Sequence, residues 1–95
     1  MVVILASVDI REEALEEALS ISMQHVQRSR QEPGCISHQV SVDAENATRL
    51  VFVERWASRE ALDVHFEVPA SVAFAKCLTA LAVGKPVMDL IEAVG

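Results

Sequence analysis

Three histidines, His25, His38 and His65, are the side chains of this sequence best suited to moving protons near neutral pH, because an unperturbed imidazole titrates near pH 6.5. His25 stands four residues after Ile21, on the rim of an apolar helical stripe, where its ring can reach a cavity between helix and sheet. His38 lies among Ile36, Val40 and Val42 on one face of a predicted strand, and a polar ring there needs a partner or a cavity. His65 precedes Phe66 on a short helix. Any of the three could act as a general base, and each could equally be a satisfied structural or surface residue. Histidine pairs at metal-ligand spacing are absent: there is no HxH and no HxxxH. No metal is expected.

Glu54 and Trp56 project to the same side of a strand. If that side meets the helices, Glu54 is a buried carboxylate that must pair, for instance with a histidine. If it meets a partner subunit, pairing across the interface is the natural outcome. Trp56, the single tryptophan, is either a core or interface anchor or the wall of an aromatic-substrate pocket. Nucleophilic catalysis has no support, since GxSxG is missing and neither cysteine has an activating neighbour. Three glycines provide no phosphate loop, so flavin, nicotinamide and nucleotide cofactors have no visible seat.

The elements that must hold these residues are short. Met1 to Val8 reads as a strand with apolar residues on both faces. Asp9 with Glu12 fits a capping box for a helix running to about Gln31, with Leu15, Ala18, Leu19, Ser22 and Val26 in one stripe. Pro33 and Gly34 stop it. Cys35 to Val42 and Arg49 to Trp56 read as strands joined by a polar hairpin loop over Asp43 to Ala47. Ser58 caps a short helix carrying His65, and Pro69 starts another that aligns Ser71, Phe74, Ala75, Leu78, Leu81 and Ala82. Val87 to Val94 returns as a strand after Gly84 and Pro86. The order βαββαβ, with the second helix split, predicts an α+β ferredoxin-like fold: a four-stranded antiparallel sheet with helices on one face.

Composition narrows the partners. The chain has 95 residues, 52% of them hydrophobic, with a formal net charge of −6. That charge argues against nucleic acid and anionic membrane surfaces, and no stretch approaches the roughly 20 apolar residues of a membrane span. The apolar run Val2 to Ala6 is too short for a signal peptide. Cys35 and Cys77 are expected to be reduced, buried small hydrophobes of a cytoplasmic protein. Strand one is apolar on both faces while the helices cover only one, so a homodimer packed sheet to sheet is expected.

The segment Ser29-Arg30-x-Glu32-Pro33-Gly34-Cys35, the pair Glu54-x-Trp56, and Ala61-Leu62-x-x-His65 followed by Pro69 and Ala73-Phe74 resemble, in order and spacing, the antibiotic biosynthesis monooxygenase (ABM) family. The resemblance covers nearly the whole chain and implies a single domain over residues 1–95. It further implies a dimer with a pocket between sheet and helices in each subunit. Quinol-oxidising members need no organic cofactor or metal: a dihydroxy-aromatic is deprotonated, its anion reacts with dioxygen, and the peroxide collapses to a quinone. His65, or His25 or His38, fits the base, with Trp56, Phe66 and Phe74 as walls. Haem-degrading members carry an Asn where Ser7 stands and a helical His where Ala75 stands, so that activity is not implied. An isomerase of phosphorylated sugar-like signals and a non-catalytic dimerising or small-molecule-binding module are the alternatives.

Overall fold

The computed structural model describes residues 1–94. Strand β1 (Val2–Asp9) leads through a 3₁₀ turn (Glu12–Ala14) into helix α1 (Leu15–Ser29). Strands β2 (Cys35–Asp43) and β3 (Asn46–Trp56) form a hairpin, helices α2 (Arg59–Glu67) and α3 (Pro69–Leu81) follow, and β4 (Val87–Glu92) closes the sheet. The strand order is β2-β3-β1-β4 and every pairing is antiparallel. This is the expected α+β arrangement.

Sheet register sets the site. Glu54 on β3 lies opposite both His38 on β2 and Ile4 on β1. Residues directly opposite in a sheet share a face, so these three form one row under the helices. On one side of the row packs a core of Val8, Ala18, Val26, Leu50, Phe52 and Leu78; on the other, a smaller core of Val2, Ile4, Trp56 and Leu62. The polar pair His38 and Glu54 therefore sits between two apolar clusters.

Local signals explain most boundaries. Gly34 takes φ +85°, the left-handed conformation that reverses the chain after α1. Its Cα also faces Ala61 so closely that an added Cβ would lie 2.5 Å from the alanine Cβ. The Ser58 hydroxyl accepts from the Ala61 N–H at 3.2 Å, capping α2. Pro69 opens α3, where a missing N–H is harmless.

Five expectations are corrected. Asp9 is the last residue of β1 rather than a helix cap: its carboxylate takes the Arg49 Nε–H at 2.9 Å, and the 3₁₀ turn intervenes. The hairpin loop shrinks to Ala44 and Glu45, because Asn46 to Thr48 extend β3 and the Asp43 carboxylate accepts the Glu45 N–H. Ile36 does not share the face of His38, because a register shift between Cys35 and Ser37 turns it outward. Cys77 is free, as expected, but exposed on α3, and Cys35 is half-buried. Strand β4 ends at Glu92. On the face away from the helices, Leu5, Val87 and Ile91 are exposed. No single helix among the described residues is long and apolar enough to cross a membrane.

Candidate active site

Three separate elements bring the histidines together. His25 projects from α1, His38 from β2 and His65 from α2, with exposures of 5%, 1% and 3%. The ring centroids of His25 lie 5.2 Å from His38 and 5.4 Å from His65, and those of His38 and His65 are 5.9 Å apart. Glu54 completes the cluster. Its Oε2 is 3.6 Å from His38 Nε2 and its Oε1 is 3.7 Å from His65 Nε2, contacts too long for hydrogen bonds but close enough for strong electrostatic coupling.

The helix face explains how α1 contributes. Ala18, Ser22, His25 and Ser29 follow helical spacing, and the small residues are fully buried. They let the backbone lie close to the sheet, which puts His25 over His38. Glu54 and Trp56 point to this helix-covered side, settling the orientation that strand patterning left open. Trp56 is fully buried behind the histidines rather than along the cavity. Its ring centroid is 4.6 Å from that of His65 and its Nε1–H donates to Glu54 Oε1 at 3.0 Å.

Hydrogen bonds assign the proton on each ring. The Arg28 guanidinium, which can only donate, approaches His25 Nδ1 at 2.8 Å. Neutral His25 therefore carries its proton on Nε2. The Ser29 hydroxyl donates to the Val26 carbonyl at 3.2 Å, so it accepts the Nδ1–H of His38. This leaves the His38 Nε2 lone pair free, buried and without a hydrogen-bond partner among the described residues. His65 donates Nδ1–H to Glu32 Oε1 at 2.8 Å, which turns its Nε2 towards Glu54. One ring thus offers an N–H and two offer lone pairs.

Burial dominates the electrostatics. It pushes the pKa of His25 down to about 3, helped by His38, His65 and Arg28, and that of His38 down to about 3, helped by His65 and Arg30. Burial also raises the Glu54 carboxyl, against the opposing hydrogen bond from Trp56. At neutral pH the His25 and His38 rings are uncharged.

The cluster forms the floor of a cavity of about 380 Å³, a size typical of small-molecule sites. Its walls include Phe52, Phe66, Phe74, Val72, Leu78 and Met88. Phe74 stacks on His25 with centroids 3.9 Å apart and planes at 6°, while Phe66 stands half-exposed nearby. Ser7 and Ala75 also border the cavity. Ser71, which borders it from α3, has a buried hydroxyl with no partner among the described residues.

Sequence reasoning missed Arg28, Ser29, Glu32 and Ser71 as site residues. Glu32 sits in the segment recognised for its helix-stopping Pro33 and Gly34. That turn aims Glu32 at α2, a tertiary contact that carries no local pattern.

Comparison with known proteins agrees with this fold. The family model "Antibiotic biosynthesis monooxygenase" matches residues 1–76. An uncharacterized protein of Synechocystis sp., sll1783, is 34% identical over 68 residues, covering 72% of this chain and 46% of its own length. The chain thus spans about half of that relative. A crystal structure of an antibiotic biosynthesis monooxygenase superposes with a TM-score of 0.93 at 28% identity, covering 100% of both chains. Rv0793 from Mycobacterium tuberculosis shares the fold with a TM-score of 0.92 at 23% identity, over 99% of this chain and 95% of its own.

Proposed function

The chain belongs to the antibiotic biosynthesis monooxygenase family, and from that premise we propose that it oxidises a small dihydroxy-aromatic with dioxygen, without an organic cofactor or metal. The general monooxygenase-type role follows from the family; the quinol-type substrate, the base and the dimer are this reading's own. The observation that carries it is the Glu32–His65 contact, with the other nitrogen of His65 at the cavity floor. A carboxylate that holds one imidazole nitrogen protonated fixes the tautomer and orients the opposite lone pair. His65 Nε2 accepts the proton of a substrate hydroxyl. The His25 Nε2–H and the Ser71 hydroxyl stabilise the oxyanion that forms.

The phenolate is electron-rich enough to react with dioxygen at a ring carbon, giving a hydroperoxide. Loss of that carbon's proton breaks the O–O bond. One oxygen atom stays as a new carbonyl, the other leaves as water, and the substrate supplies the electrons. The apolar walls exclude solvent from the charged intermediates. The exposed apolar face of the sheet supports homodimer formation by a second copy, as in the expectation from strand one. The two free cysteines, Cys35 and Cys77, are in keeping with a reducing, cytoplasmic setting.

The test is oxygen consumption and product mass for a panel of naphthohydroquinones, with a chelator present. Wild-type turnover with one labelled oxygen incorporated, abolished in His65→Ala, is the expected result. If wild-type protein leaves every substrate untouched, a small-molecule-binding module becomes the better reading.

A further inference from the structure

Two histidines and a carboxylate of the same cluster have an arrangement that proton transfer does not require. We propose that His38, His65 and Glu54 form a binding site for one first-row divalent transition-metal ion at the cavity floor.

The donor atoms are close to coordination geometry. Glu54 lies 3.6 Å from His38 Nε2 and 3.7 Å from His65 Nε2. Donors each about 2.1 Å from one ion stand roughly 3.0–3.4 Å apart in octahedral or tetrahedral geometry. The two contacts use different oxygens of Glu54, Oε2 towards His38 and Oε1 towards His65, so the arrangement prefigures a bidentate carboxylate between two imidazoles, each contact closing by a few tenths of an ångström. The surrounding bonds are those a metal site needs. Ligating imidazoles characteristically donate their second N–H to a carboxylate, carbonyl or other acceptor, and ligating carboxylates are themselves hydrogen-bonded. Here His38 donates to Ser29, His65 to Glu32, and Glu54 accepts from Trp56.

An independent observation points to a ligand. His38 Nε2 is buried, its residue is 1% exposed, and it has no hydrogen-bond partner among the described residues. A lone pair withdrawn from water without a donor is unfavourable, and coordination removes that penalty. The cavity provides the entry path.

His25 belongs to the histidine cluster but not to the donor set. One nitrogen from each of the three rings lies within 4.8 Å of the others, a spacing that alone suggests three imidazole ligands. Arg28 decides otherwise, because its guanidinium takes the Nδ1 lone pair and leaves an N–H on Nε2. His25 is a hydrogen-bond donor beside the ion. Two imidazoles and one carboxylate select Mn, Fe, Co, Ni or Zn over Mg and Ca, which prefer all-oxygen sites. The ion takes the Nε2 lone pair that His65 needs as a base, so metal binding and base catalysis are mutually exclusive states.

The experiment is calorimetric titration of metal-stripped Cys77→Ser protein with Co(II) and Zn(II), without substrate and with excess Mg(II), alongside the visible spectrum of the Co(II) form. One ion per chain is expected, with a spectrum of nitrogen and oxygen ligands. His38→Gln and Glu54→Gln should each weaken binding at least tenfold, and Ser29→Ala by about 10–100-fold. His25→Gln should leave it within about threefold. Absence of saturable binding in the parent protein overturns the proposal without requiring any ligand variant to fold. Binding that survives His38→Gln, or that His25→Gln abolishes, overturns the donor set. The oxygenase reading is tested separately, by turnover in chelator, so either idea can fail alone.

Discussion

Glu32 Oε1 lies 2.8 Å from His65 Nδ1, joining residues 33 positions apart on either side of the β2–β3 hairpin. The contact ties the turn at Pro33 and Gly34 to the histidine-lined floor of the cavity. Removal of a general base typically lowers a rate by about 10²–10⁴-fold, and His65→Ala should fall in that range. Glu32→Ala leaves the base present but free to rotate or change tautomer. Its kcat should fall by about tenfold or more while KM changes little, because Glu32 does not border the cavity described above. A Glu32→Ala enzyme with wild-type kcat would remove the orienting role.

The strands and helices were legible in the sequence because their signals are local. Alternation placed Phe52, Glu54 and Trp56 on one face, Ser58 marked a cap, and Pro69 marked a helix start. The failures are equally specific. Asp9 and Glu12 have capping-box spacing, yet Asp9 prefers Arg49, which stands 40 residues away. His25, His38 and His65 have no ligand spacing along the chain, and only the register of Glu54 against His38 and the small residues of α1 bring them together. Arg28 and Ser29 are polar residues of the last turn of α1. Their part in setting ring tautomers depends on which histidine each one meets.

Acid should destabilise the metal-free protein, measured with chelator present. His25 and His38 have folded pKa values pushed down to about 3, against about 6.5 in an unfolded chain. Between those values the unfolded chain binds protons that the folded one does not. Stability from keeping these rings neutral is present above about pH 6.5 and is lost as pH falls towards 3. Each histidine contributes a slope of about 1.4 kcal/mol per pH unit inside the window. Arg28 and His65 face His25, while Arg30, His65 and Glu54 surround His38. Glu54, raised by burial, acts in the opposite sense, favouring the folded state under acid conditions, and offsets part of the loss. Urea midpoints should drop steadily from pH 6.5 to 4.5, and more shallowly in His38→Gln. Equal slopes for both proteins would contradict the assignment.

Gly34 is required twice, by conformation and by space. Its φ of +85° is unfavourable for any residue with a Cβ, and an alanine there would meet Ala61 at 2.5 Å. Gly34→Ala should lower stability by about 2–4 kcal/mol from the two effects together. Pairing it with Ala61→Gly relieves the collision but not the backbone strain. The double variant, corrected for Ala61→Gly alone, should therefore recover part of the loss and not all of it. Thermal melts of the four proteins separate the two causes. Full recovery would mean that strain contributes nothing.

The outer sheet face makes the last prediction. Leu5 pairs across β1 and β3 with Val53, while Val3 pairs with Ile91 on β4. These side chains point away from the helices, and Leu5 and Ile91 are 41% and 44% exposed. All six residues of β4 are exposed as well. This face carries Leu5, Val3, Val53, Val87 and Ile91, interrupted by Asp89 opposite Leu5 and Arg55 opposite Val3; its apolar part is unfavourable in water, and a second copy of the same face can cover it with its strands crossing at a shallow angle. Sedimentation at micromolar concentration should give about twice the chain mass. Leu5→Lys places a charge at the centre of the proposed contact, and like charges from both copies would meet there. It should shift the protein to monomer while leaving the His65–Glu32 contact intact within each subunit. If wild-type protein sediments as a monomer, the apolar face needs another explanation; if Leu5→Lys remains a dimer, the contact lies elsewhere.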